Sequence, residues 1–215
     1  MATTLRARWT LDPAITFLNH GSFGACPRVV LDAQQALREE LEREPVRFFV
    51  RELPGRLDAA RERLAAFVGA DPADLVFVRN ATEAVNAIVR SLDLQPGDHI
   101  LTTDHAYNAC RNVLEYVAER RAARVNVATI PFPIASPAQA TAAILAAVTP
   151  QTRLALIDHV TSPTGLVLPI AEIVAALAER GVDTLVDGAH GPGMIDLDLE
   201  AIGAAYYTGN LHKWV

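Results

Sequence analysis

From Arg28 to Glu44 the apolar positions Val30, Leu31, Ala33, Leu37 and Leu41 recur at the spacing of one helix face, and Pro45 ends the run. A second helical pattern runs from Gly55 to Val68, with Leu57, Ala60, Leu64, Ala65 and Phe67 expected inward and Gly69 as C-terminal cap. After Asp71-Pro72 the period changes. Short, mostly apolar runs at Leu75–Val78, His99–Thr102, Val125–Ile130, Leu154–Ile157, Thr184–Val186 and Ala205–Thr208 read as strands. Helical patterns at 81–92, 108–122, 136–148 and 169–180 fall between the first five. Apolar strands alternating with helices predict βαβ units and a mostly parallel sheet covered on both faces, a three-layer α/β/α fold. Residues 1–27 read as an irregular arm ending at Cys26-Pro27, and 28–215 as one domain.

In such a sheet the loops after the strands share one rim, where open α/β sheets bind ligands. Most of the chemically capable residues fall there. Arg79-Asn80-Ala81-Thr82-Glu83 follows the first expected strand, and Thr103-Asp104-His105-Ala106-Tyr107-Asn108 the second. Asp158-His159-Val160-Thr161-Ser162 follows the fourth and Asp187-Gly188-Ala189-His190 the fifth. Tyr207-Thr208-Gly209-Asn210-Leu211-His212-Lys213 follows the sixth.

Composition narrows the possibilities. With 51% hydrophobic and 20% charged residues, the chain has the makeup of a globular protein and not of a disordered one. No run approaches the length a membrane helix needs, and the first residues lack the apolar core of a secretory signal, so a cytoplasmic location is expected. A net charge of -6 without a basic block argues against nucleic-acid or membrane partners. Cys26 and Cys110 form neither a disulfide framework nor a metal knuckle. The basic residues are the informative ones: of the 19, Lys213 alone is lysine. Guanidinium cannot act as a nucleophilic amine, whereas a desolvated ε-amine can attack a carbonyl. A bias toward Arg codons would leave the same count.

The rim discriminates among cofactors. No Gly-x-Gly-x-x-Gly follows a strand, and no Gly-x-x-x-x-Gly-Lys is present, which disfavours dinucleotides and P-loop nucleotides. The pairs Asp98-His99, Asp104-His105 and Asp158-His159 keep a metal-dependent hydrolase open as an alternative, although neighbours on a strand face opposite ways and each pair offers one ligand. Pyridoxal 5′-phosphate (PLP) asks for a lysine, a carboxylate for its ring nitrogen and an anion site for its phosphate. Lys213, Asp187 and the helix start at Ala81-Thr82 supply that set. Thr82-Glu83 could equally be ordinary capping, and Asp187 a solvated helix cap. His190 could bond the ring hydroxyl or be a plain loop histidine. Tyr107 could stack on the ring or anchor the following helix.

Asn80-Ala81-Thr82-Glu83-Ala84, Asp187-Gly188-Ala189-His190 and Tyr207-Thr208-Gly209-Asn210-Leu211-His212-Lys213-Trp214 resemble the class V aminotransferase group of PLP enzymes. Phe17-Leu18-Asn19-His20-Gly21-Ser22-Phe23-Gly24 and Pro45-Val46-Arg47-Phe48-Phe49 are similar to its isopenicillin N epimerase-like branch, which includes cysteine-sulfoxide lyases. The resemblance implies a PLP enzyme acting at Cα of an amino-acid substrate by epimerase, C–S lyase or aminotransferase chemistry. It gives Lys213 the internal aldimine and the Cα proton, and Asp187 the pyridinium nitrogen. It gives the phosphate to Ala81 N–H, Thr82, Asn210 and His212, the ring hydroxyl to His190 and Ser162, and the ring face to Tyr107. Desulfurases stack a histidine there, so His105 competes with Tyr107, and Asn210 stands where they have serine. Relatives continue beyond the lysine into a small domain, so the resemblance implies a chain truncated there, with a PLP-binding module lacking catalysis as an alternative. It also implies a homodimer in the intact protein, with Phe48-Phe49, flanked by Arg47, Arg51, Pro45 and Pro54, at its interface rather than in the core.

Overall fold

Five strands, all paired in parallel, carry the fold in a computed structural model that describes residues 3–215. They are β1 (His99–Thr103), β2 (Arg124–Ala128), β3 (Thr152–Asp158), β4 (Asp183–Gly188) and β5 (Tyr206–Gly209), in the spatial order β2-β1-β3-β4-β5. The main helices are α1 (Arg28–Arg43), α2 (Leu53–Val68), α3 (Ala81–Ser91), α4 (Asn108–Arg121), α5 (Pro137–Ala146) and α6 (Ile170–Ala178).

Strand alternation sorts the core into two halves. Ile100, Leu154, Leu156 and Leu185 face one way and are covered by Val85 and Val89 of α3 and Val113, Leu114 and Val117 of α4. Leu101, Ala155, Ile157 and Val186 face the other way, under Ala140 and Ile144 of α5 and Ile173, Val174 and Leu177 of α6. Burying each such side chain contributes about 1.5–3 kcal/mol, so both helical layers are needed to hold the sheet flat between them. This is the expected three-layer α/β/α arrangement. The chain leaves β1 toward one sheet edge and β3 toward the other, so the crevice between their C-terminal ends is the switch point at which such sheets take ligands.

Four expectations need correction. Leu75–Val78 belongs to no sheet; without a hydrogen-bonding neighbour or a covering layer, Val76, Phe77 and Val78 stay exposed. The helix α1 forms where its period predicts, but none of its residues is buried, and Val30 and Leu37 lie open because no element packs over that face among the described residues. In α2, likewise, Leu57 and Phe67 are exposed while Ala65 and Val68 are buried. Gly69 does cap α2, in the left-handed region at φ 65°, and a side chain there would also strike Asp198. Phe48 is buried with the Arg56 guanidinium 5.2 Å from its ring centre, whereas its neighbour Phe49 is exposed. Half of the expected interface pair is therefore core.

The arm is irregular but tied down. The Trp9 indole donates to the Ala25 carbonyl at 3.1 Å, and the Arg28 amide donates to the Arg8 carbonyl at 2.8 Å. A helical turn, His20–Phe23, brings the arm to the C-terminal rim of the sheet, where Gly21 packs so closely on Trp214 that no larger residue would fit.

Candidate cofactor site

A cavity of about 380 Å³ opens at the C-terminal ends of β3 and β4. Of the residues expected in the site, Thr82, Tyr107, Ser162, Asp187, His190, Asn210 and Lys213 line it. They arrive from the start of α3 and from the C-terminal ends of β1, β3, β4 and β5, which is why residues far apart in the chain meet.

Asp187 closes β4 on the face covered by α3 and α4, the same face as Leu185 two positions earlier. Its carboxylate is buried, with Oδ1 accepting from the Ala189 amide at 3.0 Å and Oδ2 from the Cys110 thiol of α4 at 3.2 Å. Burial first, and then the Asp187 charge, pushes the Cys110 thiol far up, so it stays protonated as a donor.

Beside Asp187 in the ladder stands Asp158, the last residue of β3. It also lines the cavity, and its Oδ1 is buried without a hydrogen-bond partner among the described residues. Burial, followed by the neighbouring Asp187 charge, raises the Asp158 carboxyl well above the usual carboxylate range.

Lys213 sits on the closing turn Leu211–Trp214, with Nζ 3.0 Å from His190 Nε2. Desolvation lowers its ammonium below the ordinary lysine value, opposed by the nearby Asp187 charge. His190 is lowered too, by burial first and then by Lys213. The Trp214 indole N–H donates to His190 Nδ1 at 3.2 Å.

The helix α3 starts at this rim. Its cap Asn80 accepts from the Glu83 amide at 2.8 Å, and the first helical amide, Ala81, donates to Asn210 Oδ1 at 2.8 Å. Ala81 N–H and Asn210, expected as two separate phosphate holders, are therefore partners. The bond aims the Asn210 oxygen away from an anion and leaves its amide nitrogen as the donor. His212 is exposed and, like Ala81, does not line the cavity.

Tyr107, not His105, borders the cavity. The buried His105 is committed to Thr164 Oγ1 at 2.8 Å and the Ile130 carbonyl at 3.2 Å. His159 is also structural. Burial takes it down to about 4, and its Nδ1 meets the Tyr207 hydroxyl at 3.0 Å. Asp104 receives the Ile130 amide, and Asp98 receives Arg153. Asp98, Asp104, His105 and His159 thus have partners of their own, and among the described residues no group of three or more His, Cys, Asp or Glu side chains could hold a metal ion.

Sequence reasoning did not place Asp158, Cys110, Trp214 or the arm residues Asn19 and Ser22 in the site. Asp158 was legible as the residue two beyond Leu156 on the same strand face. The thiol of Cys110 and the indole of Trp214 give no local signal.

Amine, buried carboxylate and helix N-terminus in one cavity are the set that PLP requires, and an unpartnered buried carboxyl oxygen lies beside them. Residues 17–215 match the family model for aminotransferase class V. The chain belongs to this family of PLP-dependent enzymes. It is 42% identical over 210 residues to an isopenicillin N epimerase of Streptomyces clavuligerus, covering 98% of this chain and 53% of the relative. It is 34% identical over 218 residues to a probable chloroplastic L-cysteine desulfhydrase of Arabidopsis thaliana, covering 94% of this chain and 46% of the relative. A solved structure of a lysine-to-alanine mutant of C-DES, with glycine covalently linked to its PLP cofactor, superposes with a TM-score of 0.85 at 27% identity. That match covers 97% of this chain and 56% of the other. The chain spans about half the length of the curated relatives it matches. Among the described residues, no helix is long and apolar enough to cross a membrane.

Proposed function

We propose that this cavity holds PLP and that the whole protein uses it at the α-carbon of an amino-acid substrate, within the range of epimerase and C–S lyase chemistry. The observation that carries the reading is the meeting of the Lys213 amine, the buried Asp187 carboxyl group and the start of α3 in one cavity.

Lys213 would hold the cofactor's aldehyde end, since a desolvated amine more readily keeps the lone pair that binding a carbonyl requires. Its Nζ would also be the group that holds or moves the proton at Cα. Asp187 holds the ring nitrogen, its position fixed by the Ala189 amide and the Cys110 thiol. The Thr82 region of α3 and the Asn210 amide nitrogen hold the phosphate at a helix N-terminus. Ser162 and His190 stand toward the ring hydroxyl, and Tyr107 covers a ring face, excluding water from it. PLP, when bound, supplies the electron sink for the pair left when a bond at Cα breaks.

The exposed apolar side chains Val30, Leu37, Phe49 and Phe77 support a homodimer as the working state. Borohydride reduction of the full-length protein followed by peptide mapping tests the cofactor assignment: the modification belongs on Lys213. A yellow, active preparation with Lys213 unmodified overturns it. Deuterium wash-in from solvent at Cα, screened over amino acids and cysteine sulfoxides, then finds the substrate class. A strictly monomeric species with full activity in light scattering contradicts the dimer.

A further inference from the structure

Trp214 Nε1 has only a proton to offer, and it points at His190 Nδ1 at 3.2 Å. A neutral imidazole that accepts at Nδ1 carries its proton on Nε2. That nitrogen lies 3.0 Å from Lys213 Nζ. Two donors cannot share that contact, so Lys213 must accept, and only an unprotonated amine has the lone pair to do so.

We infer that Trp214 is a positioning residue: through its indole N–H it fixes His190 in the Nε2–H form, which holds Lys213 as a free amine. Protonating Lys213 requires His190 to change tautomer and give up the Trp214 bond. The other groups facing Lys213 act separately. Asp187 of β4 favours the ammonium, the Asp158 carboxyl of β3 is raised by burial, and Tyr107 borders the same cavity, with His212 beside Lys213 on its own turn. Gly21 of the arm lies over this pair: a side chain there would run into Trp214 and come within 3.2 Å of His190. The inference rests on the reading of Lys213 as the cofactor amine for its purpose, but not for its measurement.

In the full-length protein freed of cofactor, the rate at which acetic anhydride acetylates Lys213 is followed against pH by peptide mass spectrometry. Removing one hydrogen bond of ordinary strength by Trp214→Phe should raise the midpoint and slow labelling below it by about two- to tenfold. A cavity left by the smaller ring would instead speed labelling at every pH without moving the midpoint. Nitrogen-15 shifts of His190 in the unsubstituted protein read the tautomer directly, whether or not the variant folds. Nε2–H supports the relay; Nδ1–H, or identical midpoints in the two proteins, overturns it. A shifted midpoint in a protein whose Lys213 takes up no PLP would sink the cofactor assignment and leave the relay standing.

Discussion

Asp158 and Asp187 are register partners on adjacent parallel strands, and the Asp187 charge, after burial, raises the Asp158 carboxyl. Like charges so close disfavour double ionisation. Asp187 receives an amide and a thiol, and one oxygen of Asp158 is buried without a hydrogen-bond partner among the described residues.

Asp158→Asn should stabilise the protein near neutral pH. The folded-state value of Asp158 lies above its ordinary 3.8, so its favourable contribution is complete below that pH and is lost as pH rises toward the folded value. Each pH unit of that interval costs about 1.4 kcal/mol. Urea unfolding near pH 7 and near pH 3 checks this: the variant should gain stability at the higher pH alone. Parallel stability curves would mean that Asp158 titrates normally.

Asp187→Asn keeps the shape of the site but removes its charge. A charged hydrogen bond is worth roughly 1.5–3 kcal/mol against 0.5–1.5 for a neutral one, so cofactor affinity should fall by only about 1–2 kcal/mol. Turnover should fall by about a hundredfold or more, because pre-placed charge acts most strongly where charge develops. The check is kcat measured on protein shown by absorbance to be loaded with PLP. A wild-type rate would make Asp187 a mere structural carboxylate.

The cysteines should separate cleanly. Cys26 is exposed, whereas Cys110 is fully buried with its thiol held protonated against Asp187. A thiol-disulfide reagent applied to the native protein should modify Cys26 and leave Cys110 intact until denaturant is added, as read by peptide mapping. Rapid native modification of Cys110 would mean that α4 opens and that the Asp187 clamp is loose.

Strand alternation and helix period made the layers and the rim legible, because the central strands β1, β3 and β4 bury apolar side chains on both faces. Lys213 and Asp187 could be read because each stands at a strand end or just beyond it. The misreadings share a cause. Val30, Leu57 and Val76 are apolar in the right rhythm, yet rhythm says which residues seek cover and not whether cover exists. Ala81 and Asn210 were read as independent donors because a contact spanning 129 positions leaves no local trace. Asp158 was taken with His159, its neighbour in sequence, when its true partner was its neighbour across the ladder.

The two halves of the core do unequal work. On α5 and α6, Ile144, Ile173 and Leu177 belong to a purely apolar cluster. Under α4 the same kind of packing also carries Cys110 to the Asp187 carboxylate. Sequence drift is therefore tolerated differently on the two sides of the sheet. Volume-conserving exchanges under α5 and α6 tune thermal robustness alone, whereas any exchange that tilts α4 retunes the acidity of the site. Selection for a new substrate has a dial in the α4 layer, and selection for endurance has one in the opposite layer.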